Sequence, residues 1–246
     1  MPALAIPPAE TRVPAAMYAE LRHWLLANDP DAGKILSWSM ATLAPPTAPE
    51  KMAEEIIWII LCAGRSAQAA RTIERKVRTA VESGRPVVEV FGYRAKAAAI
   101  ERAWAEREQD FAALQEVMKA GSAERLVEWC GSLPFIGDDT KFQLAKNFGA
   151  DLCKPDIWLC RLTGIPDKPR RPVAFRFPAC MALCRPLANA TGDRIAAVDS
   201  MLWLACNKGV LAVDSNAGEV RFLPGASRAR SIFDAAPSTS QLELEL

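Results

Sequence analysis

The chain has 246 residues, 50% of them apolar, a formal charge of +1 and a single histidine. Such a length buries a substantial core, as one large domain or two small lobes, and a soluble globular protein is expected. The longest apolar run, residues 56–63, is far short of the roughly twenty residues a membrane helix needs, so no spanning segment is expected. The opening MPALAIPPAETRVPA lacks a basic start and a sustained apolar stretch. It reads as a loose arm, not an export signal, and a cytoplasmic location is expected.

Helical spacing dominates from there on. Residues 16–28 place Met17, Leu21, Trp24 and Leu25 on one face, which predicts the first helix. Pro30, Pro45, Pro46 and Pro49 mark 30–49 as a linker with one turn of helix around Trp38. Residues 50–83 predict two helices meeting near Gly64, and 96–109 a further one with an alternating-charge face, entered through a turn at Gly92 and Tyr93. Short helices follow at 111–120 and 123–130, with Gly121 and Ser122 as C-cap and N-cap between them. The proline-rich stretch after Arg161 predicts an interruption, with helices resuming at 179–190 and 193–208 and ending at Gly209. Strand material is confined to 210–213 and 219–223, a small hairpin or an irregular tail. The fold class is therefore all-α.

Seven cysteines, an odd number, fall mostly in apolar helical patterns and suit a reducing compartment as small buried hydrophobes. With His23 alone, a zinc site lacks its commonest ligand and a Ser-His or Cys-His mechanism lacks its base. No metal and no cofactor are expected, and His23 reads as a surface or cap residue.

The stretch LPFIGDDTKFQLAKNFGADLCKPDIWLCR, 133–161, sets a glycine-containing turn between two helices and follows it with a lone carboxylate, Asp156. It resembles the core signature of the helix-hairpin-helix DNA glycosylases, the superfamily of endonuclease III, the mismatch adenine glycosylases and the alkylbase glycosylases. The resemblance implies two helical lobes with a cleft for a flipped nucleotide. On it, 51–150 is a helical lobe holding the hairpin, and 151–235 a second lobe joined by 16–50. Residues 1–15 and 236–246 are flexible ends. Likeness covers roughly 50–210.

In that family the turn anchors duplex DNA through its backbone, which here implicates Leu133, Pro134, Phe135, Ile136, Gly137, Asp139, Thr140 and Lys141. The physical basis is a helix start whose free N–H groups and dipole receive a phosphate. The family usually has L-P-G-hydrophobic-G, and Phe135 replaces the first glycine. Asp156 stands where the family has its indispensable aspartate, at a helix start and with Arg161 five residues on. A carboxylate there stabilises the oxocarbenium charge that develops when an N-glycosidic bond breaks; its bland alternative is an ordinary N-cap.

Bifunctional relatives carry a nucleophilic lysine where this chain has Asp139, so the resemblance implies a monofunctional enzyme that uses water. Lys141 lies roughly 200° further round the helix, and Lys154 is the other candidate amine. Trp158 replaces a histidine common among relatives. The run EEIIWIILCAGRSAQAARTIERKV resembles the family's early buried helix, whose end fills the gap left by the flipped base. Apolar alignment puts Arg65 at that wedge position and the SAQA string puts Gln68 there, Arg65 being preferred. GYRAKAAAI resembles a family helix start. The four-cysteine iron–sulfur set of many relatives lacks its spacing here, since only Cys180 and Cys184 lie close together.

Residues 141–185 hold nine Lys or Arg against three Asp, and Lys168, Arg170 and Arg171 are their densest cluster. Lys154 and Arg161 belong to the same basic stretch, which offers several phosphate contacts despite the balanced total. Trp38 and Trp158 are candidate linings for a flipped base. The leading expectation is a monomeric, nucleoid-associated glycosylase removing a modified or mismatched base from double-stranded DNA. The alternatives are a non-catalytic helix-hairpin-helix DNA anchor, and a glycosylase-lyase using a displaced lysine.

Overall fold

A computed structural model describes residues 12–65, 67–225 and 231. The fold is all-α. Among the described residues there are twelve α-helices, one π-helical turn and a two-stranded antiparallel hairpin. None of these helices is long and apolar enough to cross a membrane. Residues 1–11 of the expected N-terminal arm and all of the expected tail lie outside the described residues.

Two compact units divide the described chain, one made of 12–45 with 141–225 and the other of 46–140. The division at Thr140 and Lys141 comes ahead of the position near 150 that the sequence suggests. In the central unit, α3 (Pro49–Cys62) starts on a proline, whose missing N–H is no loss at a first turn. It buries Met52, Ile56, Ile57, Ile60 and Leu61 against α4 (Ala67–Glu82), α6 (Arg94–Ala105) and α7 (Arg107–Lys119). A four-residue helix, α5 (Val88–Phe91), precedes α6, and Gly92 turns the chain between them at φ 67°. The break between α6 and α7 falls at Glu106, earlier than the spacing predicts. Arg102 bridges it by gripping the Asp110 carboxylate with both terminal nitrogens, at 2.9 and 3.2 Å. Helix α8 (Ala123–Ser132) begins as expected, Ser122 Oγ accepting from the Arg125 N–H at 3.3 Å.

In the other unit, α1 (Ala15–Asn28) buries Tyr18, Leu21 and Leu25 along one stripe. The proline-flanked linker is more helical than predicted: α2 (Ala32–Ser37) runs into the π-helical turn Trp38–Thr42. All its prolines lie outside that segment, so none removes a needed donor. Two short helices, α9 (Thr140–Asn147) and α10 (Ile157–Leu162), flank the loop that carries Asp156. Helix α11 (Val173–Thr191) starts six residues before the predicted position and passes through Pro178 and Pro186. Tertiary contacts of its first turns override the prolines: Phe177 stacks on Phe142 at 4.4 Å, and Arg176 bonds the Pro155 carbonyl. The last helix, α12 (Ile195–Lys208), is buried on nearly every side and ends at Gly209 with φ 78°. Strands β1 (Leu211–Ala212) and β2 (Arg221–Phe222) pair behind it.

Ion pairs bind both ends of the α12 segment to the N-terminal helices. Arg22 holds Asp193 with two bonds, at 2.7 and 3.0 Å, and Tyr18 Oη donates to the same carboxylate at 3.3 Å. At the other end Lys208 Nζ lies 3.3 Å from Asp29 and 3.0 Å from Asp31, all three side chains being at most 2% exposed. Removing one partner from such a buried group leaves uncompensated charge, typically costing about 3–5 kcal/mol. Lys208→Met is therefore expected to lower urea stability by about that amount. Arg22→Ala, whose guanidinium is partly solvated, should cost less; equal losses would show that burial does not set the difference.

Candidate active site

Asp156 is the N-cap of α10. Its Oδ1 accepts from the N–H groups of Trp158 at 2.9 Å and Leu159 at 3.1 Å. Both bonds fall on Oδ1, which leaves Oδ2 outside the cap. The bland reading of this aspartate is thus correct as geometry, and it leaves half of the carboxylate for other work.

The surroundings are unusual for a simple cap. Burial is the largest influence on the Asp156 carboxyl and raises it above the ordinary carboxylate range. The Lys154 ammonium and the two capping N–H groups pull it down, and Asp199 pushes it up. Cys160, Cys180 and Cys206, all buried, lie close enough to feel its charge. Thiols of this kind solvate a carboxylate poorly, which is why desolvation outweighs the capping bonds.

Two side chains hold the two residues before Asp156. Asp199, on α12, accepts from the Lys154 backbone N–H at 3.0 Å and pairs through the same oxygen with Lys146 Nζ at 2.6 Å. The Lys146 and Asp199 side chains are 4% and 3% exposed, and Lys146 also reaches Ser200 Oγ at 3.4 Å. From the opposite direction Arg176, on α11, donates to the Pro155 carbonyl while its Nε holds the Arg171 carbonyl. One guanidinium therefore ties the Asp156 turn to the end of the basic loop. Residues Lys146, Asp199 and Arg176 escape a reading by motif, although a charge in the apolar runs of α9 and α12 is a visible signal.

Of the other residues singled out from sequence, Lys154 lies close enough to pull on the Asp156 carboxyl and Trp158 supplies one of its capping N–H groups. Arg161 is engaged: it pairs bidentately with Asp167 at 3.0 and 2.6 Å and lies 4.8 Å from the Trp158 ring centroid. Lys168, Arg170 and Arg171 are exposed, Arg171 lying 5.2 Å from the Phe175 ring centroid. Trp38 sits in the π-helical turn, not in a plain loop, and is 37% exposed. His23 is exposed.

The hairpin is Leu133–Thr140, with Leu133 and Ile136 buried and Pro134, Phe135 and Gly137 exposed. Its glycine N–H is not free as expected: Gly137 donates to Thr140 Oγ1 at 2.8 Å. The hydroxyl acts as a local cap on the donor that an arriving phosphate would use. Asp139 is half-buried ahead of α9, and Lys141 Nζ lies 5.6 Å from the Phe142 ring centroid. In the central unit Arg65 is exposed with its guanidinium 4.8 Å from the Phe91 ring centroid. The Gln68 side chain lies outside the described residues.

Comparison of the chain with protein-family models, with curated protein sequences and with solved structures returned no match.

Asp199→Ala leaves the Lys146 ammonium buried and the Lys154 N–H unpaired, and is expected to cost about 3–5 kcal/mol. Combining Lys146→Met with Asp199→Leu should recover most of that loss, apart from about 1–3 kcal/mol for the orphaned N–H. Urea unfolding of both variants checks it; a double variant no more stable than Asp199→Ala would contradict the pairing.

Proposed function

We propose that this chain is a DNA glycosylase that hydrolyses the N-glycosidic bond of a modified or mismatched base in duplex DNA. The observation that carries the reading is the geometry of Asp156: a half-buried carboxylate, pinned on both preceding residues, with one oxygen used as a cap and the other outside it. Bond cleavage leaves positive charge on the sugar, and a fixed carboxylate in a poorly solvated setting stabilises that charge more than a hydrated one does. The same group orients the attacking water. Asp139 occupies the position of the lyase nucleophile, so water attacks C1′ and the product is an abasic site. The exposed cations of 168–171 and the hairpin backbone meet the phosphates, and the enzyme works at the nucleoid.

Folding raises the Asp156 carboxyl, so the folded chain holds this proton more tightly than the unfolded one. Ionising it costs stability, a cost absent below the unfolded carboxylate range near about 4 and complete above the raised folded value. Asp156→Asn keeps a good cap. At about pH 7.5 this variant should melt at or above the wild-type temperature, the advantage fading as the pH falls toward about 4. A variant markedly less stable than wild type at neutral pH would remove the desolvation cost.

The direct test incubates the protein with duplexes that each carry one modified or mismatched base and resolves abasic-site formation. Wild type should release one class of base, and Asp156→Asn should lose at least about 100-fold in rate while still binding DNA. Retained turnover in the variant refutes the assignment. Borohydride should trap no covalent complex; a crosslink mapped to Lys154 or Lys141 would make the enzyme a lyase. Replacing Lys168, Arg170 and Arg171 by alanine should flatten the salt dependence of binding, by about 0.9 per lost phosphate contact in log K against log salt.

A further inference from the structure

At the tip of the hairpin Phe135 has a φ of 65°, the left-handed region in which glycine is the default residue. A bulky side chain there is strained. The ring is nevertheless 38% exposed. Backbone strain and exposed aromatic surface at one position both work against the fold, and strain of this kind concentrates where a side chain is needed for binding.

The neighbours of the ring indicate what it binds. Tyr93, 51% exposed, meets Phe135 edge to face, with centroids 5.9 Å apart and planes at 88°. Lys96 Nζ lies 5.7 Å from the Phe135 centroid and is fixed by a 2.5 Å bond to the Ala63 carbonyl. Burial, and then the adjacent Arg65 guanidinium, push the Lys96 ammonium below its usual range. Among the described residues no carboxylate forms an ion pair with either cation. Lys96, itself buried, therefore stands beside the exposed Phe135–Tyr93 pair, and the exposed Arg65 is close enough to Lys96 to act on its charge, an arrangement completed by a ligand with a flat face and a negative charge.

We propose that Phe135 and Tyr93, with Lys96 beside Phe135 and Arg65 near Lys96, form a stacking site for an unpaired base of DNA, Arg65 meeting the adjoining phosphate. Aromatic rings accept any base by its π-face, and the cations supply the backbone attraction. The site deepens the DNA reading above but does not depend on base excision.

The test measures binding of the full chain to a duplex carrying one bulged 2-aminopurine and to the fully paired duplex of the same sequence. Wild type should prefer the bulge and quench its fluorescence. Phe135→Leu should bind the bulge about 5- to 100-fold more weakly, the range for losing one aromatic–base stack, and lose the quench, with a smaller loss on paired DNA. Phe135→Gly should lose the same affinity yet melt within about 3 °C of wild type, because relief of the left-handed strain offsets the lost ring contacts. Arg65→Ala should reduce the salt slope by about one contact. Phe135→Leu binding the bulge as tightly as wild type overturns the site, as does a large fall in melting temperature for Phe135→Gly, which would assign the ring to the core. Quenching that depends on Phe135 without base release from any duplex leaves this site standing and removes the excision reading. Base release by wild type, with Phe135→Leu binding and quenching the bulge as wild type does, does the reverse.

Discussion

The buried pair of Lys146 and Asp199 is the interaction on which the Asp156 region depends. One oxygen of Asp199 holds the α9 ammonium at 2.6 Å and the Lys154 backbone at 3.0 Å, so a side chain of α12 joins two segments far apart in sequence. A well-packed apolar pair would serve stability as well or better, because two ions taken from water recover their desolvation only with good geometry. What the ions add is direction: a carboxylate aimed at one N–H fixes the loop in a way that apolar contact does not. Arg176 supplies the second fixed point at the Pro155 carbonyl, and Asp156 follows these two anchors with little freedom left.

Asp156 and Phe135 share a physical character although they lie in different units. Each is costly where it stands, the first by desolvation of a carboxyl and the second by a left-handed backbone. An asparagine would cap α10 as well as the aspartate, and a glycine would adopt the hairpin conformation freely. Local rules broken without a local gain mark positions held for binding or chemistry. Three of the buried cysteines, Cys160, Cys180 and Cys206, contribute to this economy by packing like small hydrophobes near the carboxylate they fail to solvate.

Features governed by neighbours in sequence were legible before the structure. The Ser122 cap, the stop at Gly209 and the meeting of two helices near Gly64 depend on local dihedral and capping preferences. Asp156 was legible as a helix start for the same reason. The helical content of 32–42 was not, because prolines on either side hid a segment free of them. Helix α11 starts earlier than its sequence suggests, since Pro178 weighs heavily in isolation, whereas the Phe142 stack and the Arg176 bond to Pro155 come from remote residues. Lys146 with Asp199, and Phe135 with Tyr93 and Lys96, are pairings across tens of residues that no spacing rule contains. The engaged N–H of Gly137 is hidden in the sequence because a hydroxyl three residues on competes with the ligand expected there.

A carboxylate that only caps α10 would titrate at or below the ordinary range, since two N–H bonds favour its charged form. Carbon-13 titration of aspartate carboxyls, with Asp156 assigned by its absence from Asp156→Asn, separates that case from a desolvated group held for chemistry. The expected midpoint for Asp156 lies above about 3.9 in the wild type and falls in Asp199→Asn, where the neighbouring negative charge is gone. A midpoint at or below about 3.9 that does not move in Asp199→Asn would contradict both the desolvation and the coupling.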